Sequence, residues 1–282
     1  MRRFGFLTLL LPVAASAQIG LLNGNETERL RKIDPHELKS AAEGVIAAGP
    51  WSVRDHRPPS SKATIHDFYS SSEFTANQQD LHAVCDATLT LGVAAWLTGE
   101  KRYARRAAKL LDVWFLDPDT YMNPDLDFSQ SKPGVPRGRG FGVIDGRDLI
   151  WCTQAVAFAE RAPGWDPQTG ERVRGWFRRY LCWLLLSRKS DEEKQSGDMH
   201  SAWWTAQVAT YADFVDDDLA LGDLWKFVDS GKAHLDLDPQ ACSLVARLGQ
   251  NHGRSAAAPP TDAPFSGTAW DRILQALTAT PR

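Results

Sequence analysis

From Leu81 onward the apolar residues of this chain recur at helical spacing in one segment after another, and that regularity limits the folds open to it. Leu81, Cys85, Leu89, Val93 and Leu97 stand four apart, with His82, Asp86 and Thr90 on other faces, so residues 81–97 read as a helix. Thr98-Gly99-Glu100 stops it. Tyr103, Ala107, Leu110, Leu111 and Trp114 start a second, which ends at Asp117-Pro118. Two helices joined by so short a turn form an antiparallel hairpin. Leu149, Thr153, Val156 and Ala157 mark a third helix. Val173, Trp176, Phe177, Tyr180, Leu181 and Leu184 mark a fourth, with Arg172, Arg178 and Arg179 on its solvated side. Trp203, Val208, Tyr211 and Phe214 mark a fifth; after Asp216-Asp217-Asp218, Leu219, Leu224, Phe227 and Val228 continue the pattern. No stretch alternates well enough to be a sheet strand. Repeated hairpins bury their apolar stripes only against neighbouring hairpins, so an all-α curved array or toroid is expected.

The flanks read differently. Arg2 and Arg3, the apolar run Phe4 to Val13 and the small residues Ala15-Ser16-Ala17 form a signal peptide over 1–17, with the mature chain starting near Gln18. The run is too short to span a bilayer. No later stretch is read as reaching membrane length, so a soluble, secreted protein is expected, periplasmic in a Gram-negative host. Residues 18–76 are expected to be an irregular arm, broken by Gly49-Pro50-Trp51 and Pro58-Pro59-Ser60-Ser61. The helical domain covers 77–230. In the tail, 231–282, only Trp270, Ile273, Leu274 and Leu277 indicate a further short helix.

A formal net charge of -3, more acidic once Arg2 and Arg3 are removed, argues against nucleic acid as a partner. Four cysteines, Cys85, Cys152, Cys182 and Cys242, allow three pairings in an exported chain, or serve as small buried residues. None has metal-type spacing, and no metal or cofactor is expected. Asn25-Glu26-Thr27 is a glycosylation sequon in a eukaryotic host. Eleven tryptophans fill a core or form platforms for sugar rings; their number does not separate the two.

Two segments carry the candidate chemistry. In Ser196–Gln207, His200, Trp203, Trp204 and Gln207 are spaced i, i+3, i+4 and i+7 and share one helix face. The indoles would stack on sugars, the amide would fix hydroxyls, and the imidazole would take a proton. The competing reading makes both indoles core. Asp198 reads as the N-cap of that helix. The second segment lies in the long connection from Leu116 to Gly146 and just beyond it. It runs from Arg137 to Asp148, and its spaced glycines match no dinucleotide fingerprint. Arginines such as Arg139 and Arg147 suit fork-like capture of carboxylates. The competing reading is a connection in which Asp145 or Asp148 caps the third helix.

Several ordered motifs resemble the alginate lyase domain family, over about residues 81–217: Leu97-Thr98-Gly99-Glu100-Lys101-Arg102-Tyr103-Ala104, Trp114-Phe115-Leu116-Asp117-Pro118, Met122 to Gln130, and Gly138 to Asp145. The resemblance implies an incomplete (α/α) toroid built from antiparallel helix hairpins. It implies β-elimination on a uronic-acid polysaccharide, alginate-like or glucuronan-like. His200 matches the family's catalytic histidine, as general base, and Trp203 and Gln207 match downstream positions. The expected substrate-binding set is Trp203, Trp204, Gln207, Arg139, Arg147, Asn123 and Gln130, with an acidic polysaccharide as partner and neither nucleic acid nor membrane. Asp198 and Met199 stand where the family has two asparagines, and this chain has no tyrosine after Tyr211. Two alternatives follow. One is a catalytically impaired lyase-like protein that binds acidic glycans. The other is an inverting glycosidase on a helical toroid using Asp86, Asp145 or Asp148.

Overall fold

The structure is a computed structural model that describes residues 18–60, 62–132, 137–254 and 268–279; the expected signal peptide lies outside them. Six helices fall where the periodicity puts them: α3 (Ala76–Thr98), α4 (Lys101–Phe115), α5 (Leu149–Ala159), α6 (Pro167–Leu186), α8 (Met199–Phe214) and α9 (Asp218–Asp229). A short helix, α7 (Arg188–Lys194), links α6 to α8. Local signals set several ends. Asp166 caps α6 by accepting from the Gln168 amide, with Pro167 in the first turn, and Asp217 caps α9 through the Ala220 amide.

α3 and α5 form the most extensive helix pair, and α3 also packs on α4. Gly92 makes the closeness of the first pair possible. A Cβ there would lie 2.7 Å from the Ala155 carbonyl oxygen, which is backbone and cannot swing aside. Helix propensity favours alanine over glycine by up to ~1 kcal/mol, but overpacking a tight core costs about 1–3 kcal/mol. Gly92→Ala is therefore expected to lower the thermal midpoint, and an unchanged or raised midpoint would show that the two helices can part freely.

Four expectations need correction. The arm is not irregular throughout, because α1 (Gly24–Lys32) and α2 (His36–Val45) lie within it. A reciprocal capping box between Asn23 and Glu26 starts α1, and both amide-to-side-chain bonds are 3.0 Å. The tail carries α10 (Pro239–Asn251) and α11 (Ala269–Ala279). It is tied back into the domain: Arg247 pairs with Glu26 at 2.6 Å, Arg272 with Asp86 at 3.1 Å, and Trp270 stacks on Trp151. Two strands exist among the described residues, β1 (Tyr69–Ser71) and β2 (Phe128–Ser131), paired in parallel. At three and four residues they are too short for alternation to show. Finally, α3 is long and apolar enough to cross a membrane, but most of it is buried inside the fold, as expected of a central helix.

Tryptophan use is decided here. None of the eleven is exposed, and Trp114, Trp176 and Trp270 are wholly buried. Trp176 joins Phe115, Phe177 and Tyr180 in an aromatic cluster between α4 and α6 that extends to Tyr211 on α8. Cys85 and Cys152 are buried and unbridged, their sulfurs 3.1 Å apart across the α3–α5 contact, while Cys182 is exposed.

Candidate active site

His200 sits in the first turn of α8, and the residue that caps the helix also orients its ring. One carboxylate oxygen of Asp198, Oδ1, accepts from the His200 amide at 2.9 Å, the Ser196 hydroxyl at 2.7 Å and His200 Nδ1 at 3.0 Å. Burial pushes the Asp198 carboxyl up, but those hydrogen bonds outweigh it and hold it below the usual range. A carboxylate can only accept, so Nδ1 carries a ring proton, and in the neutral ring the lone pair is on Nε2. The ring is 23 % exposed. Phe141 leans over it from above, with ring centroids 4.9 Å apart. The arrangement is an imidazole held in one orientation at the protein surface against an aromatic ring, a geometry that suits proton transfer.

Phe141 belongs to a 3-10 segment, Gly140–Gly146, that packs against α7 and α8. Gly138, at positive φ, admits this segment's approach to β2: a Cβ there would strike the Ser129 carbonyl oxygen at 2.3 Å. A polar network then locks it. Arg139 donates to the Gln130 backbone oxygen and side chain at 3.0 and 3.2 Å. Gln130 Nε2 donates to Asp145 Oδ1 at 3.2 Å, and Ser70 Oγ donates to Asp145 Oδ2 at 2.5 Å. Burial raises the Asp145 carboxyl, against the hydrogen bonds from Ser70, Gln130 and Gln78. The Arg139 fork and Gln130 are thus engaged with the scaffold. Asn123 is brought to Asp67, 2.7 Å from its carboxylate, and not to His200.

Three members of the expected sugar-binding helix face turn inward. Trp204 is buried and donates to Ser190 Oγ at 2.8 Å. Gln207 is fully buried, accepting from Tyr180 Oη at 3.4 Å and donating to the Val143 carbonyl at 3.2 Å. Trp203 donates to Asp238 Oδ2 at 3.0 Å, and Asp238 in turn caps α10. α8 is buried on every side from Ser201 to Ala212, so a shared helix face there is a packing face. The stacking role expected of Trp203 and Trp204, and the hydroxyl-fixing role of Gln207, are corrected accordingly.

Sequence reasoning missed a second constellation. His82, in the second turn of α3, places Nδ1 3.1 Å from Asp148 Oδ2. Asp148 stands at the N-cap position of α5 but makes no capping bond. The hydrogen bond to Asp148 raises the His82 pKa, against burial that lowers it. Arg147 is exposed and lays its guanidinium over Trp203, 5.5 Å from the ring centroid. His82, Arg147, Asp148, Trp151, Trp203, Gln240 and Thr268 line a cleft of about 210 Å³. Trp151 and Gln240 bring the first turns of α5 and α10 to its wall, which favours negative charge. No periodicity could have paired residues 66 positions apart. Behind the site, Glu193 of α7 is fully buried, and neither carboxyl oxygen makes a full hydrogen bond. Desolvation first, then Asp145 and Asp198, push it up to about 9, against weak help from the Ile144 amide. Among the described residues, no three His, Cys, Asp or Glu side chains gather to hold a metal.

Comparison with known proteins places this geometry. No curated protein matches the chain. A solved structure, an alginate lyase from Bacteroides ovatus, superposes with a TM-score of 0.78 at 18 % identity, over 92 % of this chain and 82 % of that one. The shared fold is the all-α toroid expected. The alginate lyase family model matches residues 14–237, a span holding His200, its Asp198 partner and the 3-10 segment that covers them. The chain belongs to the alginate lyase family.

Proposed function

We propose that this protein is an exported polysaccharide lyase that cleaves a uronic-acid polymer by β-elimination, with His200 as the general base. One observation carries the reading: Asp198 fixes the proton on His200 Nδ1 and leaves Nε2 free to accept another at a partly exposed surface. The C5 proton of a uronate becomes acidic only when its carboxylate charge is neutralised. Nε2 then takes that proton, electrons move to form the C4–C5 double bond, and the C4–oxygen bond breaks. The departing oxygen must receive a proton from an acid. Family membership supports the reaction class. Aspartate at 198, where the family has asparagine, supplies the acceptor that orients the base. Alginate-like and glucuronan-like polymers are the substrates proposed.

The assay follows from the product. Protein recovered outside the cell, with its N-terminus near Gln18, is expected to raise ultraviolet absorbance on alginate or glucuronan as the unsaturated uronate forms. Reducing ends without that absorbance would mean hydrolysis and would overturn the reading.

A further inference from the structure

The cleft beside α8 holds a guanidinium with no ion-pair partner among the described residues. Arg147 lies over Trp203, and among the described residues no carboxylate stands within ion-pair distance of it. Its nearest acids are spoken for: Asp148 faces His82, and Asp145 accepts from Ser70 and Gln130. The Arg139 fork, by contrast, is occupied by Gln130. A cation–π contact with an indole face restrains a guanidinium without using its N–H donors, which remain available to grip a carboxylate with two parallel bonds.

We infer that this cleft is a carboxylate subsite in which the Arg147 fork, with the His82 ring beside it, holds the carboxylate of a uronic acid unit. The inference rests on the lyase reading and names the element that reading lacks, a cationic partner for the substrate's acid group. The cleft is smaller than the ~300 Å³ at which pockets for drug-sized ligands begin, so it takes one sugar unit and not a length of chain. Trp203 follows His200 by three residues on α8, so the residue that carries Arg147 stands roughly 5 Å along the helix axis from the residue that carries the base. His82 adds a second donor when its ring is doubly protonated. Asp148 favours that state most, Asp86 on the same helix favours it too, and Arg147 opposes it. Uronate binding is therefore stronger at pH 6 than at pH 8.

Calorimetric titration of the His200→Ala protein, whose turnover is expected to be slowed 10²- to 10⁴-fold, tests this with glucuronate and mannuronate tetrasaccharides and a neutral cellotetraose control. Arg147→Ala in that background is expected to weaken uronate binding at least tenfold and to leave the neutral control unchanged. Arg147→Gln, which keeps the stem over Trp203, carries the same prediction should the alanine variant fail to fold. His82→Gln is expected to remove the difference between pH 6 and pH 8. Uronate affinity unaltered in both Arg147 variants would overturn the subsite while leaving turnover by the parent, and hence the lyase reading, intact. A parent with neither uronate binding nor turnover would overturn both.

Discussion

His200→Ala is expected to lower kcat on the uronate polymer by 10²- to 10⁴-fold, the usual contribution of a positioned general base. Its melting temperature should stay close to the parent's, because the ring is partly exposed and, among the described residues, its only side-chain hydrogen bond is to Asp198. Asp198→Ala separates the two duties of that carboxylate. It removes the cap of α8, worth about 1 kcal/mol, and so lowers stability. It also frees the imidazole to rotate and change tautomer, so kcat falls, though less than without the imidazole. Ultraviolet product assays at saturating substrate, paired with thermal melts, read both. A His200→Ala enzyme with parental kcat would remove the base from the mechanism. Loss of activity that tracked only loss of fold would do the same for the orienting role of Asp198.

The helical half of this architecture was legible because it is written in a repeat of four, and α3, α4, α5, α6, α8 and α9 all emerged from it. What escaped was written in other terms. β1 and β2 are too short to alternate, and α10 and α11 are held by long-range ties such as Arg247–Glu26 and Arg272–Asp86. At the site, His200 was identified through a family motif, but the rest of its helix face was misread. The spacing that puts Trp203, Trp204 and Gln207 together is equally the spacing of a buried stripe, and burial resolved it toward the core. Asp198 was read as a cap, which it is, yet its bond to Nδ1 depends on ring orientation that no linear pattern records. His82 and Asp148 meet only because α3 and α5 lie side by side.

Glu193→Gln is expected to stabilise the protein at alkaline pH and to do little at pH 5. Glu193 is fully buried on α7 behind the 3-10 segment, with Asp145 and Asp198 near it and no full hydrogen bond to either oxygen. Its ordinary pKa is 4.5, and in the folded chain desolvation chiefly raises it to about 9. The folded protein thus binds a proton that the unfolded chain has released throughout that interval, and stability falls as pH rises from the first value to the second. Below pH 4.5 both states hold the proton and there is no penalty. Each pH unit inside the window costs at most about 1.4 kcal/mol, so at pH 7.5 the burden reaches ~3 kcal/mol, allowing for relaxation around the group. Glutamine has nearly the shape and polarity of the protonated acid but exchanges no proton. It should stay close to the parent at pH 5 and exceed it by about 3 kcal/mol near pH 8. Other groups move with pH as well. Asp145 and His82, both raised, add to the same slope, while Asp198, lowered from 3.8, changes stability only below this window. They are common to both proteins, so the difference between the two denaturation curves at each pH isolates Glu193. Parallel curves from pH 5 to pH 8 would mean that water or a rearranged α7 reaches the carboxyl, and that the surface carrying Phe141 over His200 is not backed by a neutral acid.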